Sequence, residues 1–378
     1  MAFTTIDAPG KHHQVALWSG QNQSGGSSTQ TVTFDRENVS MQPDIFFTKS
    51  RVSVEGDRNG GWYDTSRGIG TGSNPQLVTA TTAEDNITQG ISQANSNGFG
   101  IGSNSNYRLN LYNSTYVGWH WKLNGGTTSS NTDGDITSTV QVNSTTKMGL
   151  CTYTGNGSDN QTIGHGLGVR PNFLYIRCRS HASDGIWWQE GISWNHNKRL
   201  VFNGGYNGES DSCNGRASAT ASNSRGTSSI FTVFSGNSRF DNCNENNKTY
   251  IAWYGADVPG YSKYGHYKGN GSDDGPLVYL GFKPATVYVW STGTQYQHVH
   301  DHKRAPNNCS ADMRRLSWGD ANRERLNDAN DDIVFLSNGF KINKNHQHKN
   351  TNNQTYIYGA WAEEPQFSSK GVPATARK

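Results

Sequence analysis

The chain has 378 residues, enough for more than one hydrophobic core. Only 32% of them are hydrophobic and mean hydropathy is -0.78, yet the charged fraction is just 17%, and Trp 11, Tyr 17 and Phe 14 offer many large groups to bury, which excludes the disordered class. Net charge is +3 with Lys and Arg scattered, and no run nears the roughly 18 apolar residues of a membrane span, so neither nucleic-acid binding nor membrane insertion is expected.

Met1-Ala2-Phe3-Thr4-Thr5-Ile6-Asp7 has neither a basic nor an apolar leader region, and synthesis as a soluble cytosolic product is the expectation. Gly 44 with abundant Asn and Ser favours short strands joined by turns. The fold class expected is all-β, three tandem β-sandwich modules of jelly-roll or concanavalin-like type with few short helices.

The first unit begins with the turn Trp18-Ser19-Gly20-Gln21-Asn22 and a core strand entered through Pro43-Asp44-Ile45-Phe46-Phe47. Asn97-Gly98-Phe99-Gly100-Ile101 is a hairpin signal, and Thr115-Tyr116-Val117-Gly118-Trp119 closes the unit. The second unit repeats these landmarks as Tyr153-Thr154-Gly155-Asn156-Gly157-Ser158, Pro171-Asn172-Phe173-Leu174-Tyr175-Ile176 and Thr249-Tyr250-Ile251-Ala252-Trp253. The third carries Tyr267-Lys268-Gly269-Asn270-Gly271-Ser272, then Pro284-Ala285-Thr286-Val287-Tyr288-Val289-Trp290, Asn338-Gly339-Phe340-Lys341-Ile342 and Thr355-Tyr356-Ile357-Tyr358-Gly359-Ala360-Trp361. From opening Pro to closing Tyr the spacing is about 73, 79 and 72 residues, a near-constant period that marks three modules. Their expected bounds are 1–124, 148–256 and 257–364, with a polar linker or loop at 125–147 and an extended tail at 365–378.

Few constellations carry chemistry. Cys151, Cys178, Cys213, Cys243 and Cys309 are odd in number, widely spaced and without C-x-x-C, which predicts buried free thiols. An aromatic or His followed by an acid recurs in Trp62-Tyr63-Asp64, Trp188-Gln189-Glu190 and His300-Asp301; one isolated acid per module suits a structural acceptor better than the paired acids of a glycosidase. Trp62, Tyr63, Trp187, Trp188 and Trp194 could stack on sugar rings as a glycan or partner platform, but a place in a sandwich core or subunit interface is the favoured reading, because large aromatics usually fill cores. His298, His300 and His302 stand two apart, so on a strand they face one side and could hold a metal on a symmetry axis; no carboxylate or Cys partner stands at zinc-motif spacing. No G-x-S-x-G, H-E-x-x-H or P-loop is present, so no catalytic residue and no cofactor is assigned.

The opening Met1-to-Asp7 segment, the Tyr153-to-Ser158 turn leading to Gly166-Leu167-Gly168-Val169-Arg170-Pro171, Phe335-to-Ile342, and Tyr356-Ile357-Tyr358 with Ala362-Glu363-Glu364-Pro365 together resemble the repeat modules of structural proteins in marine bacteriophages, of cyanophage and pelagiphage type. The resemblance spans nearly the whole chain. It implies a non-enzymatic virion component, a tail-fibre or host-adhesion protein made in the host bacterial cytoplasm. Its expected partners are itself as a trimer or higher, other virion proteins and a host cell-surface glycan. A capsid-surface decoration or knob protein is the alternative, and a polysaccharide-degrading tail enzyme ranks behind both. The second module departs from the pattern, since Trp187-Trp188-Gln189-Glu190 replaces the Asp-x-x-Arg stretch seen as Asp64-Thr65-Ser66-Arg67 in the first.

Overall fold

The computed structural model of the chain describes residues 4–22, 28–52, 61–69, 74–78, 83–87, 90–102, 109–183, 185–189, 199–202, 209–210, 226–235, 243–293, 297–304, 316–317, 333–368, 370–371 and 373. The fold is all-β; one 3-10 turn, Pro9–Lys11, is the helical element among these residues.

The first module contributes β1 (His13–Ser19), β2 (Gln30–Thr33), β3 (Ile45–Val52), β4 (Gly61–Asp64), β5 (Asn74–Val78), β6 (Asp85–Ile87), β7 (Ile91–Asn95), β8 (Gly98–Ile101) and β9 (Thr115–Trp121). The second contributes β10 (Ser129–Asn131), β11 (Ser138–Asn143), β12 (Met148–Thr154), β13 (Gln161–Gly164), β14 (Phe173–Cys178), β15 (Gly185–Gln189), β16 (Arg199–Phe202), β17 (Glu209–Ser210), β18 (Ile230–Val233) and β19 (Thr249–Gly255). The third contributes β20 (Ser262–Lys268), β21 (Leu277–Tyr279), β22 (Phe282–Ser291), β23 (Gln297–Asp301), β24 (Leu316–Ser317), β25 (Ile333–Leu336), β26 (Gly339–Ile342) and β27 (Thr355–Pro365).

The strand order repeats. The large sheets share the five-strand order β1-β9-β3-β4-β5, β12-β19-β14-β15-β16 and β20-β27-β22-β23-β24, extended by β6 in the first and by β10-β11 and β17 in the second, and each module adds a small sheet, β2-β8-β7, β13-β18 or β21-β26-β25. In the first module the two sheets enclose Trp18, Phe46 and Tyr116 from one side and Val32, Phe99 and Ile101 from the other. Such paired sheets are compatible with the sandwich modules expected from the repeat.

Local chemistry repeats with the topology. Tyr116, Tyr250 and Tyr356 each accept, at the phenol oxygen, the backbone N–H five residues upstream, from Leu111 (3.0 Å), Glu245 (3.0 Å) and Thr351 (2.9 Å). Each ring stacks on the aromatic of the neighbouring strand, Trp18, Tyr153 or Tyr267, with centroids 5.2 to 5.5 Å apart. The chain turns into that closing strand through Asn113, Asn247 or Asn353 at φ 60 to 62°, a left-handed conformation asparagine tolerates better than most residues. Gly20, Gly155 and Gly269 lie where a Cβ would sit 2.0 to 2.3 Å from a carbonyl oxygen, so only glycine lets the two segments pass.

The polar stretch 125–147 is not a linker. It supplies β10 and β11, which extend the second large sheet. Asp44, wholly buried, anchors its entry by accepting the backbone N–H of Leu123 (2.7 Å) and of Gly125 (3.0 Å), with the amide of Gln141 at 3.2 Å. The start of the tail also differs from an outward extension, because the Gln366 N–H donates to the Gly281 carbonyl at 3.1 Å and Phe367 bridges to Pro373.

The central strands of the large sheets are buried on both faces. Every residue of β14 and of β22 is buried, and β9 and β19 are buried after their first residue. One face looks into its own module and the other meets the other two modules in a single apolar cluster holding Trp62, Trp121, Trp187, Trp253, Trp290 and Trp361. Sheets covered on both sides lose the apolar-polar alternation of a half-exposed strand. The three modules thus close on one another around a shared aromatic centre.

Candidate functional site

Two places bring functional side chains together: the junctions between modules and a surface cleft on the third.

At each junction the fourth strand of one large sheet meets the next module in a cycle. Trp62 on β4 packs against Tyr175 (5.9 Å) and Trp253 (5.2 Å) of the second module; Trp187 on β15 packs against Tyr288 (5.4 Å) and Trp290 (6.0 Å) of the third. The cycle returns through β23, where Asp301 accepts the indole N–H of Trp119 in the first module at 3.3 Å. Register places Asp64, Gln189 and Asp301 at equivalent positions, each two residues after Trp62, Trp187 or Val299.

Two junctions use the same device. Asp64 pairs with Arg67 at 2.6 Å and Asp301 with Arg304 at 2.5 Å, both pairs fully buried, and each carboxylate also accepts its own arginine's backbone N–H. The guanidinium then donates to a strand carbonyl, Trp62 or Val299, and lies over a tryptophan of the next module: Arg67 over Trp253 at 5.7 Å, Arg304 over Trp119 at 5.3 Å. A cation held over an indole face in a dry setting is attractive, and the carboxylate removes the cost of burying it alone. Glu84 extends the first device by joining Arg67 (2.8 Å) and Arg179 of the second module (2.8 Å). Burial pushes the Glu84 carboxyl up, but hydrogen bonds and charge from Arg179 and Arg67 outweigh it and hold it below the usual range.

The third junction is built differently. Gln189 donates to the carbonyl oxygens of Tyr358 (2.5 Å) and Gly265 (3.2 Å) and accepts the Tyr288 hydroxyl. Strand register puts Gly359 where Trp119 and Trp253 stand, and a Cβ there would lie 2.2 Å from the Tyr288 ring. Loss of the arginine in the second module and of the tryptophan in the third is therefore one paired change. Of the recurrent acids, Asp64 and Asp301 are acceptors within the frame; Glu190 lies outside the described residues, and Gln189 takes the equivalent position in the second module.

The candidate aromatic platform is not at the surface, and the core reading holds for Trp62, Tyr63 and Trp187. Trp62, Tyr63 and Trp187 are 4%, 0% and 1% exposed, because β4 and β15 lie in the interior of their sheets with both faces covered. Trp188 is half-buried against the second module's own core, and Trp194 lies outside the described residues. The histidines do not converge on an ion either. His298 and His300 are buried on β23, on the face opposite Val299; His298 packs on His348 with centroids 4.9 Å apart, while His302, past the strand end, has Nδ1 3.4 Å from Glu363. Among the described residues no group of three or more His, Cys, Asp or Glu could hold a metal. Cys151, Cys178 and Cys243 are buried free thiols; Cys213 and Cys309 lie outside the described residues.

The surface cleft has a volume of about 440 Å³, within the range of small-ligand sites. Thr4 of the N-terminal segment, the turn at Asp257, Pro259 and Gly260 with Ser262 and Lys263 at the start of β20, Tyr279 at the end of β21 with Leu280 and Gly281, and Gln366 with Phe367 of the tail line it. Tyr279 is 56% exposed; its hydroxyl donates to Gln366 at 2.8 Å, and Lys263 donates to its carbonyl at 3.1 Å with the ammonium 5.7 Å from its ring. Asp257 accepts the Tyr264 N–H at 2.8 Å. Gly260, at φ 75°, lets the turn approach Thr4, whose Cβ would be 2.6 Å from a side chain placed there. Sequence reasoning missed this site because its lining comes from four separated segments, none of which carries a motif of its own.

No curated protein and no solved structure matches the chain. A family model described as a domain of unknown function, DUF7483, matches residues 8–365, a span that takes in all three modules and most of the residues lining the cleft. The chain belongs to the DUF7483 family.

Proposed function

We propose that the protein is a non-enzymatic structural component of a bacteriophage virion, acting at a tail fibre or another host-adhesion position. The observation that carries this is the shared aromatic centre, which makes one body of three modules and leaves their small sheets and loops outside to bear contacts. A particle component needs that combination of a stiff frame and variable loops. The resemblance of the repeat landmarks to phage structural modules supports the setting. Glycoside hydrolysis needs two carboxylates flanking the bond, and Asp257 is the one carboxylate among the described residues lining the cleft, with an oxygen engaged by the Tyr264 N–H. Binding without turnover fits that lining better.

One observation favours the decoration or knob alternative. Three equivalent modules of one chain already supply a threefold-like arrangement, which would match a threefold position on a shell. Both placements keep the protein on the particle, with other virion proteins as neighbours and self-association as a further level of assembly. The test is mass spectrometry of gradient-purified particles of the encoding virus, with antibody labelling viewed by electron microscopy. Label on tails supports adhesion and label on the shell supports decoration. Absence of the chain from particles that infect normally would overturn the proposal.

A further inference from the structure

The three modules serve as internal controls for one another. Val32, Ile163 and Val278 occupy one position of the repeat, each paired across the small sheet with a phenylalanine, Phe99, Phe231 or Phe340. The residues on either side of that position point away from the module core. They are Thr31 and Thr33 in the first module, and Thr162 and Gly164 in the second. In the third they are Leu277 and Tyr279, which are 59% and 56% exposed. The same backbone carries small or polar groups twice and large apolar groups once. Two exposed large side chains on an edge strand invite association with other chains, so their presence on one copy alone asks for a role that the scaffold does not.

We infer that the cleft beside Tyr279 is a binding site for a neutral saccharide of one or two rings, the class of ligand displayed on bacterial surfaces. The inference deepens the adhesion proposal and rests on it only for the source of the ligand. A sugar ring presents an apolar C–H face and a rim of hydroxyls that both donate and accept. Tyr279 supplies the aromatic wall. Gln366 and Lys263 supply donors and Asp257 an acceptor, while Thr4 and Ser262, whose buried hydroxyls donate to the carbonyl oxygens of Ile6 and Ala256, complete the polar lining. The mixed signs select against the alternatives. A carboxylate in the lining disfavours an anion such as phosphate, and five polar side chains disfavour a purely apolar ligand. The tail takes part through Gln366, which is held by the Gly281 carbonyl on one side and the Tyr279 hydroxyl on the other.

The experiment uses the full chain on an array of bacterial O-antigen and capsular oligosaccharides, followed by calorimetric titration with the oligosaccharide best retained. Tyr279→Thr, which installs the residue of the first module, and Gln366→Ala are compared with the unchanged protein. Both positions lie outside the shared core, so thermal midpoints within a degree or two confirm intact folding. The expected result is retention of at least one neutral glycan, with affinity lowered about tenfold or more by Tyr279→Thr and several-fold by Gln366→Ala. Failure to retain any neutral glycan, or affinities unchanged in both variants, overturns the inference. So does a concentration-dependent dimer in light scattering that Tyr279→Thr abolishes while no glycan is retained, which would assign the surface to a second copy of the chain. Glycan binding by a chain absent from particles would leave the saccharide site standing and remove the virion proposal instead.

Discussion

Gln189 of the second module donates to the carbonyl oxygen of Tyr358 in the third at 2.5 Å, beside a glycine, Gly359, that occupies the place of tryptophan in the other two modules. At the equivalent junctions an arginine lies over that tryptophan. Three copies of one scaffold have thus been fitted together with two kinds of joint, and each kind needs both of its halves.

The arginine joints predict a specific cost. Arg67→Met or Arg304→Met leaves a buried Asp64 or Asp301 without its cation and removes a guanidinium from the neighbouring indole. Breaking one side of a buried pair costs about 3 to 5 kcal/mol. Urea denaturation of each variant should give a loss of that size with one transition, whereas a surface arginine substitution should leave the midpoint within error.

The glutamine joint predicts coupling between Gly359 and Tyr288. Gly359→Ala forces a Cβ against the Tyr288 ring and should destabilise by about 1 to 3 kcal/mol. In a Tyr288→Ala background the clash is gone and the same change should cost a small fraction of that. A double-mutant cycle reads the difference, and simple additivity would contradict the assigned contact.

Acid sensitivity follows from two histidines in the frame. Burial lowers His13 and His120 to a pKa of about 3, although His13 bonds the His120 carbonyl and the Thr286 hydroxyl of the third module. Because these values are depressed in the folded state, the unfolded chain binds more protons below the ordinary value of 6.5. Stability is therefore complete above that pH and falls as pH drops toward 3, by up to about 1.4 kcal/mol per pH unit for each histidine. His120→Phe, which keeps the ring stacked on Phe99, should flatten the decline measured by urea midpoints between pH 7 and 4.

Much of the frame is legible in the sequence. The turn glycines and the closing tyrosines recur at fixed spacing because each has one steric or hydrogen-bonding task that the scaffold repeats. The shared centre is not legible. Trp62 and Trp187 can also be read as exposed platforms beside polar neighbours, since nothing local says that a second module covers that face. Ser129–Asn131 reads as linker because an exposed edge strand can be wholly polar. Asp301 and Arg304 repeat the spacing of Asp64 and Arg67, a signal that pairing His300 with Asp301 obscured. Leu277 and Tyr279 become visible only when the three copies are laid on one register, where threonine or glycine is their counterpart.

Differential scanning calorimetry of the full chain tests most directly whether three modules make one body. A chain of this length with independent modules would unfold in separate steps. The shared aromatic centre predicts a single transition whose calorimetric and van't Hoff enthalpies agree, and one that moves as a whole in Arg304→Met. Two or three resolved transitions, with only the one nearest the substitution shifting, would contradict the account.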